Sequence, residues 1–299
     1  MTSAAAIVLI IAFGLDLLVR EWPRQLHPVA WFGSVVAPID RDWHRPRLVG
    51  VCAAICLPLA AAVVVMVTVH VGATVSGFLG VLLAALVLFS TFSLRMLLEV
   101  AREVDRAAAS SLPAARDAVR ALVGRDVSTM EATGLRSATI ESVAENLADG
   151  FVAPLLAFVL GAQFSVTLGV GCAAWVKAVN TMDSMLGYHH VPTGWASARL
   201  DDLVMAIPAR LTACLIALVA LRPWLILNVR SAARRPASPN AGWPMATMAV
   251  TLGVRLEKPN QYVINADCDV PTASSVDRAV RTTGIGGIFA VCVAGVLVW

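Results

Sequence analysis

Glu141, Glu145, Asn146 and Asp149 form one polar cluster, and Lys177, Asn180, Asp183 and Ser184 form a second. Between them, Gly150 to Val176 has no charged residue. Acids, amides and a lone lysine flanking such a stretch are costly beside a bilayer unless they pair or bind something polar, so the two clusters mark a functional site at a membrane face. Glu141, Glu145 and Asp149 recur every four residues and share one helix face. Like charges repel at that spacing; a cation, metal or basic ligand would relieve the repulsion.

Further polar motifs punctuate the chain. Asp16 interrupts an apolar helix and is followed by Glu21-Trp22-Pro23 and His27-Pro28-Val29. This reads either as a helix end anchored by Trp22 and Trp31 at the interface or as part of the site, with His27 as a proton carrier or a structural residue. In Gly194–Asp202, Arg199 precedes the adjacent Asp201 and Asp202, and Ile207-Pro208-Ala209-Arg210 follows. An arginine near the start of a membrane segment pairs with an acid or binds a phosphate, and both readings stand for Arg210. Ser238-Pro239-Asn240-Ala241-Gly242 is a turn by composition whose amides, with Ser238 and Asn240, could cradle an anion. Glu257-Lys258-Pro259 is an exposed loop or a phosphate contact. No phosphate-binding G-x-x-x-x-G-K-[ST], dinucleotide G-x-G-x-x-G or zinc H-E-x-x-H occurs. The six cysteines form no C-x-x-C pair, and the only adjacent histidines are His189 and His190, so packing is the expected cysteine role.

The elements that must position these groups are membrane helices. Of 299 residues, 58% are hydrophobic and 14% charged, against about 25% charged in soluble domains. This is an all-α, polytopic integral membrane protein. Leu48–Leu94 is 47 positions without Asp, Glu, Lys or Arg; a crossing needs roughly 20 apolar residues, so two crossings joined by a turn near Gly72–Gly77 account for it. Further spans are expected at Ala4–Val19, read as a retained first helix without a basic leader, at Thr282–Trp299 and, more weakly, at Leu203–Leu221. Arginines concentrate in Arg20–Arg47 and Arg95–Arg136, which places both on the cytoplasmic side and the Gly72 turn outside. The expected layout is a single membrane-embedded domain. It comprises three membrane helices in 1–97, a cytoplasmic helical insertion in 98–149, a site-forming membrane region in 150–222, cytoplasmic loops in 223–281 and a last membrane helix in 282–299. Within the insertion, Ala115, Ala118, Val119, Leu122 and Val123 have helical spacing, and Ser128-Thr-Met-Glu131 matches a capping box, its helix running toward Glu141 with a break near Gly134. Gly150–Val176 is expected to be a re-entrant or broken hairpin turning near Gly161–Ala162–Gln163, with arms too short to cross. Net charge +3 and no basic run among aromatics exclude nucleic acid as a partner.

Taken in order, the motifs resemble the CobD/CbiB family, adenosylcobinamide-phosphate synthase of cobalamin biosynthesis. The matching stretches are Asp16–Val29, E-S-V-A-E-N-L-A-D-G at Glu141–Gly150, K-A-V-N-T-M-D-S-M-L-G-Y at Lys177–Tyr188, Gly194–Leu203, I-P-A-R-L-T-A at Ile207–Ala213, S-P-N-A-G at Ser238–Gly242 and G-V-R-L at Gly253–Leu256. Glu21-Trp22 stands where the family has Asp-Pro, Leu147 where it has a small polar residue, and the segment from Tyr188 to Gly194 is short.

The resemblance implies ATP- and Mg²⁺-dependent joining of the adenosylcobyric acid carboxylate to (R)-1-amino-2-propanol or its O-phosphate. It implies a corrinoid and an amino alcohol as substrates, the lipid bilayer as surroundings, and a multi-pass protein of the cell membrane whose site faces cytosolic ATP. A homo-oligomer or association with other late-pathway membrane enzymes is conceivable. From the chemistry alone, phosphoryl transfer rests on positioning and charge neutralisation. Mg²⁺ takes a few carboxylate oxygens plus phosphates and waters, which suits Glu141, Glu145, Asp149 and Asp183. Lys177, Arg199 and Arg210 are expected to neutralise phosphate oxygens. Asn146, Asn180, Ser184, Ser238, Asn240 and His27 are expected to bind or orient substrate or nucleotide, and Asp201 or Asp202 to take the ammonium proton. The competing classes are a transporter, which calls for paired halves with matching broken helices, and a non-catalytic scaffold. No internal symmetry is evident, and half of the polar motifs lie outside the spans.

Overall fold

The computed structural model describes residues 2–187 and 191–299, leaving aside the side chains of residues 2, 3 and 24. The adjacent histidines at 189 and 190 therefore lie outside the described residues. The helices are α1 (Thr2–Val19), α2 (Pro28–Val36), α3 (Pro46–Val75), α4 (Gly77–Thr91), α5 (Leu94–Ala108), α6 (Leu112–Val119), α7 (Ala132–Leu147), α8 (Ala153–Ala162), α9 (Val166–Leu186), α10 (Trp195–Val204), α11 (Ala206–Val219), α12 (Leu225–Asn228), α13 (Gly242–Leu252) and α14 (Ala273–Val298). One antiparallel hairpin, β1 (Leu256–Lys258) and β2 (Tyr262–Ile264), pairs Leu256 with Ile264 and Lys258 with Tyr262. The protein is all-α apart from this hairpin.

Among the described residues, four helical stretches are long and apolar enough to cross a membrane: Pro46–Val75, Gly77–Ala108, Ala132–Ala162 and Ala273–Val298. A fifth arises if Trp195–Val204 and Ala206–Val219 count as one broken span, and Ala4–Val19 is a shorter apolar helix. The turn foreseen near Gly72–Gly77 is present, with the Ser76 hydroxyl accepting from the Leu79 amide as N-cap of α4. The chain divides into two compact units, each assembled from non-contiguous segments: residues 1–93, 149–205 and 291–299, and residues 94–148 and 206–290.

In the first unit, α9 is the central helix, packed by α2, α3, α4, α8 and α10. Its pairing with α8 is the hairpin expected from sequence, turning at Gln163–Ser165. The arms are not short, however. α9 has 21 residues, and a π-helical segment, Ala148–Val152, carries α7 into α8, so that Ala132–Ala162 counts as one long helix. Small residues let the hairpin arms touch: a Cβ on Gly161 would lie 2.8 Å from the Gly169 Cα, and one on Gly169 would lie 2.9 Å from the Phe158 carbonyl oxygen. Overpacking of this kind costs about 1–3 kcal/mol. Gly161→Val is therefore expected to lower the apparent Tm in detergent, whereas a change at Gly14, with no neighbour within 4 Å of a Cβ, leaves it in place.

In the second unit, α5, α6 and α7 bury Val100, Val104, Ala115, Val119, Val127 and Leu135 together, and the Arg136–Asp105 pair at 2.8 Å ties α7 to α5. The helix expected from Ala115, Ala118, Val119, Leu122 and Val123 is α6, which stops at Val119; Leu122 and Val123 lie beyond it. Two local expectations fail. No capping box forms at Ser128: the Ser128 amide instead donates to Asp126 Oδ1 at 2.9 Å, and α7 begins at Glu131, which caps with no side chain. The Asp126 carboxyl accepts from the Ser128 amide and hydroxyl, which holds it below its ordinary value, so this Asx-type turn outcompetes the box. α7 also runs through Gly134 without a break. Second, the region expected to be loops contains α13, whose Met245, Ala246, Thr247, Met248 and Ala249 are buried. Its apolar run follows a Pro at the permitted start of a helix and ends at Gly253, in a left-handed conformation (φ 67°) as C-terminal glycines do.

Candidate active site

In the first unit, Lys177 sits eleven residues into α9 and opens onto a cavity of about 1050 Å³, lined also by Glu21, Trp22, Gln25, His27 and Ser93. The acids whose charges act on it are Glu21 and Asp149. Trp22 stacks at 5.7 Å on Phe89, and its buried indole N–H has no hydrogen-bond partner. A second, apolar cavity between α2, α3 and α9, about 460 Å³, shares Trp31, Lys177 and Thr181 with the first. The cavity is thus a wet chamber with one ammonium, one carboxylate and an unfilled donor on its wall.

His27 holds this chamber's loop. Its Nδ1 accepts from the Val29 amide at 3.2 Å as N-cap of α2. The proton therefore sits on Nε2, 3.2 Å from Glu21 Oε1. Both ring nitrogens are engaged, and Glu21 is anchored in return. Sequence reasoning gave Glu21 no role, because the family pattern has Asp-Pro there; its signal is its proximity to His27, six residues on.

Asn180, Asp183 and Ser184 follow Lys177 along α9. The Ser184 hydroxyl donates to the Asn180 carbonyl and is exposed. Asp183 is half-buried at the helix end, where a Cβ on Gly187 would lie 1.8 Å from its Oδ1; glycine at 187 makes room for this carboxylate. On α10, Arg199 is exposed and 3.9 Å from Asp202, an ion pair of little energetic weight, while Asp201 and Asp202 are half-buried.

The second unit holds a separate network. Glu141, 4% exposed, receives Arg125 Nη2 at 3.0 Å, the Ser137 hydroxyl at 3.2 Å and the Tyr262 hydroxyl at 3.3 Å. Glu145, one turn on, is acted on by the charges of Lys258 and Arg125. Ser137 also accepts from the Glu257 amide at 2.9 Å, docking the β-hairpin on α7. Burial, then the charges of Glu141 and Glu145, push the Tyr262 phenol far above its ordinary value, so it serves as a neutral donor. Arg125, Ser137 and Tyr262 escaped sequence reasoning. They stand in no motif, and the one available hint was that Tyr262 is one of two tyrosines in the chain. Glu257 and Lys258, read from sequence as an exposed loop or a phosphate contact, are part-buried residues of β1, and the charge of Lys258 acts on Glu145.

Other expected site residues are spent locally. The Asn146 amide donates to the Ser142 carbonyl of its own helix at 2.9 Å. Ser238 Oγ accepts from the amides of Asn240 and Ala241, and Asn240 Oδ1 accepts from Arg210 at 3.2 Å. Arg210 also lies 5.1 Å over the Trp243 ring. Its Nη1 also donates to the Ala206 carbonyl of its own helix at 2.5 Å. Among the described residues no three His, Cys, Asp or Glu side chains gather to hold a metal ion.

A multi-pass helical protein with a lysine-bearing wet chamber and a buried acid–arginine network is the class that fold and site define. The family described as CobD/Cbib protein matches residues 9–285. The chain is 38% identical over 271 residues to the cobalamin biosynthesis protein CobD of Rhodobacter capsulatus, covering 86% of this chain and 83% of that protein. It is 34% identical over 301 residues to the probable cobalamin biosynthesis protein CobD of Methanothermobacter thermautotrophicus, covering 97% of each. No solved structure matches it. The chain belongs to the CobD/CbiB family of cobalamin biosynthesis.

Proposed function

We propose that the protein is an ATP-dependent amide synthase that joins the carboxylate of adenosylcobyric acid to (R)-1-amino-2-propanol or its O-phosphate. The observation that supports this most is Lys177, an ammonium on the central helix of the first unit, opening into a large chamber inside a cobalamin-pathway protein. A carboxylate is a poor electrophile. Bound ATP with Mg²⁺ supplies the phosphoryl group that turns it into an acyl phosphate, releasing ADP; attack by the amine then forms the amide and expels phosphate. Lys177 neutralises oxygens on which negative charge builds. Of the four carboxylates expected at Mg²⁺, Asp149 and Asp183 belong with Lys177 to the first unit and would meet Mg²⁺ carried on the phosphates, with Asn180 orienting them; Glu141 and Glu145 belong to the second unit's network. Asp201 or Asp202 takes the proton of the attacking ammonium.

The test is conversion of adenosylcobyric acid and aminopropanol phosphate by the purified protein in detergent, followed chromatographically with ATP present or withheld. Amide product only with ATP is the expected result; none under any condition would sink the reading. The site is further proposed to open to the cytoplasm, the source of ATP. A cysteine introduced as Asp183→Cys is expected to react with an impermeant maleimide in inverted vesicles and to stay unlabelled in intact cells. The native cysteines, all unpaired, are first replaced. Labelling from outside would reverse the orientation.

A further inference from the structure

A third cavity, about 320 Å³, lies in the second unit between the C-terminal end of α11 and the first turns of α14. Arg222, Arg278 and Arg281 line it together with Val219, Thr251 and Ile285. The backbone sets Arg222 firmly. Leu221 takes a left-handed conformation (φ 57°), and the Arg222 amide bonds back to the Ala217 carbonyl at 2.9 Å, the six-to-one closure of a helix C-terminus. Arg278 has a structural task, donating to the Leu252 and Thr251 carbonyls at the end of α13. Arg281 pairs with Asp277 at 2.9 Å, but both are largely exposed. Among the described residues that carboxylate is the one acid in an ion pair with these three guanidinium groups, and the buried Thr251 hydroxyl on the same wall has no hydrogen-bond partner. Beside the cavity the two helices turn apolar side chains outward: Leu218, Leu221, Ile285 and Ile288 are each about half or more exposed, as is Trp224 next to the turn. Three guanidinium groups around one cavity at the end of α11 and the start of α14, with outward apolar side chains and an indole next to the turn, make the arrangement that holds lipid headgroups.

We propose that this cavity binds the phosphate of an anionic membrane phospholipid, with the acyl chains lying along the outward faces of α11 and α14. Charge selects the occupant: a zwitterionic headgroup would bring its own cation to a site that already has an excess of arginine. The experiment is native mass spectrometry of the full chain in detergent with added phosphatidylglycerol or phosphatidylcholine. Wild type is expected to retain phosphatidylglycerol in preference to phosphatidylcholine. Arg222→Gln with Arg281→Gln should lower that retention about ten-fold, each arginine near an anionic surface adding a modest increment. Arg222→Lys with Arg281→Lys keeps the charge and should retain the lipid, which separates loss of the site from loss of fold; Arg278 is left intact because it closes α13. Equal retention by wild type and the glutamine variant overturns the proposal. So does displacement of the lipid by excess soluble glycerol phosphate, which would make the ligand a free phosphate ester.

Discussion

Lys177→Met is expected to leave the protein folded and to lower turnover in the amide-forming assay by about 10²–10³-fold, the scale on which one preorganised donor to a developing negative charge acts. Methionine keeps the length of the stem against α9's neighbours and removes only the ammonium. The chamber holds no second lysine, since the only other one in the chain is Lys258, so no neighbour substitutes. Lys177→Arg is not a rescue: a planar fork differs from a compact ammonium in reach and donor geometry. The measurement is product formed per unit time at saturating substrates, beside an apparent Tm to confirm folding. Unchanged kcat in the methionine variant would strip Lys177 of its proposed role.

The second large effect is on stability. Arg125→Met takes the cation from Glu141, whose side chain is 6% exposed. Breaking one partner of a buried pair costs about 3–5 kcal/mol because a charge is left without compensation. A protein of this size loses roughly 2–4 °C of Tm per kcal/mol, so a fall of roughly 10 °C is expected. Adding Glu141→Gln to Arg125→Met should recover part of that fall, since the amide can still accept from Ser137 and Tyr262 without carrying a charge. A double variant as unstable as the single one would show that Arg125 acts through packing alone.

The membrane helices were legible because apolar length is a signal that no local competitor masks. Leu48–Leu94 could only be two crossings, and the α3–α4 turn falls where its glycines lie. The hairpin after Gly150 was legible for a different reason, in that Gly161, Ala162 and Gln163 interrupt an otherwise continuous run. What escaped was the continuity of α7 into α8, because a π-helical turn carries no compositional mark. α13 was hidden by its proline- and asparagine-rich flanks, which drew attention from the apolar run between them. At the site, Lys177 and Glu141 announced themselves as charges beside apolar sequence. Their supports did not: Arg125 pairs with Glu141 sixteen residues on and Tyr262 reaches it from 121 residues away, and separations of that kind leave no periodicity to read. Ser128 illustrates the converse, a motif with the right letters whose amide a nearer carboxylate claimed first.

The first unit is closed by a segment far along the chain from the rest of it. Ala294 and Val298 are buried, and the Leu297 carbonyl accepts from the Gln163 side chain at 3.2 Å, at the turn between α8 and α9. All of the second unit's chain leaves the ribosome before residues 291–299 do. Helices inserted early must therefore wait in the bilayer with that seam open, so a stalled nascent chain lacking this segment should be more readily cleaved by protease at the 163–165 turn than the released one.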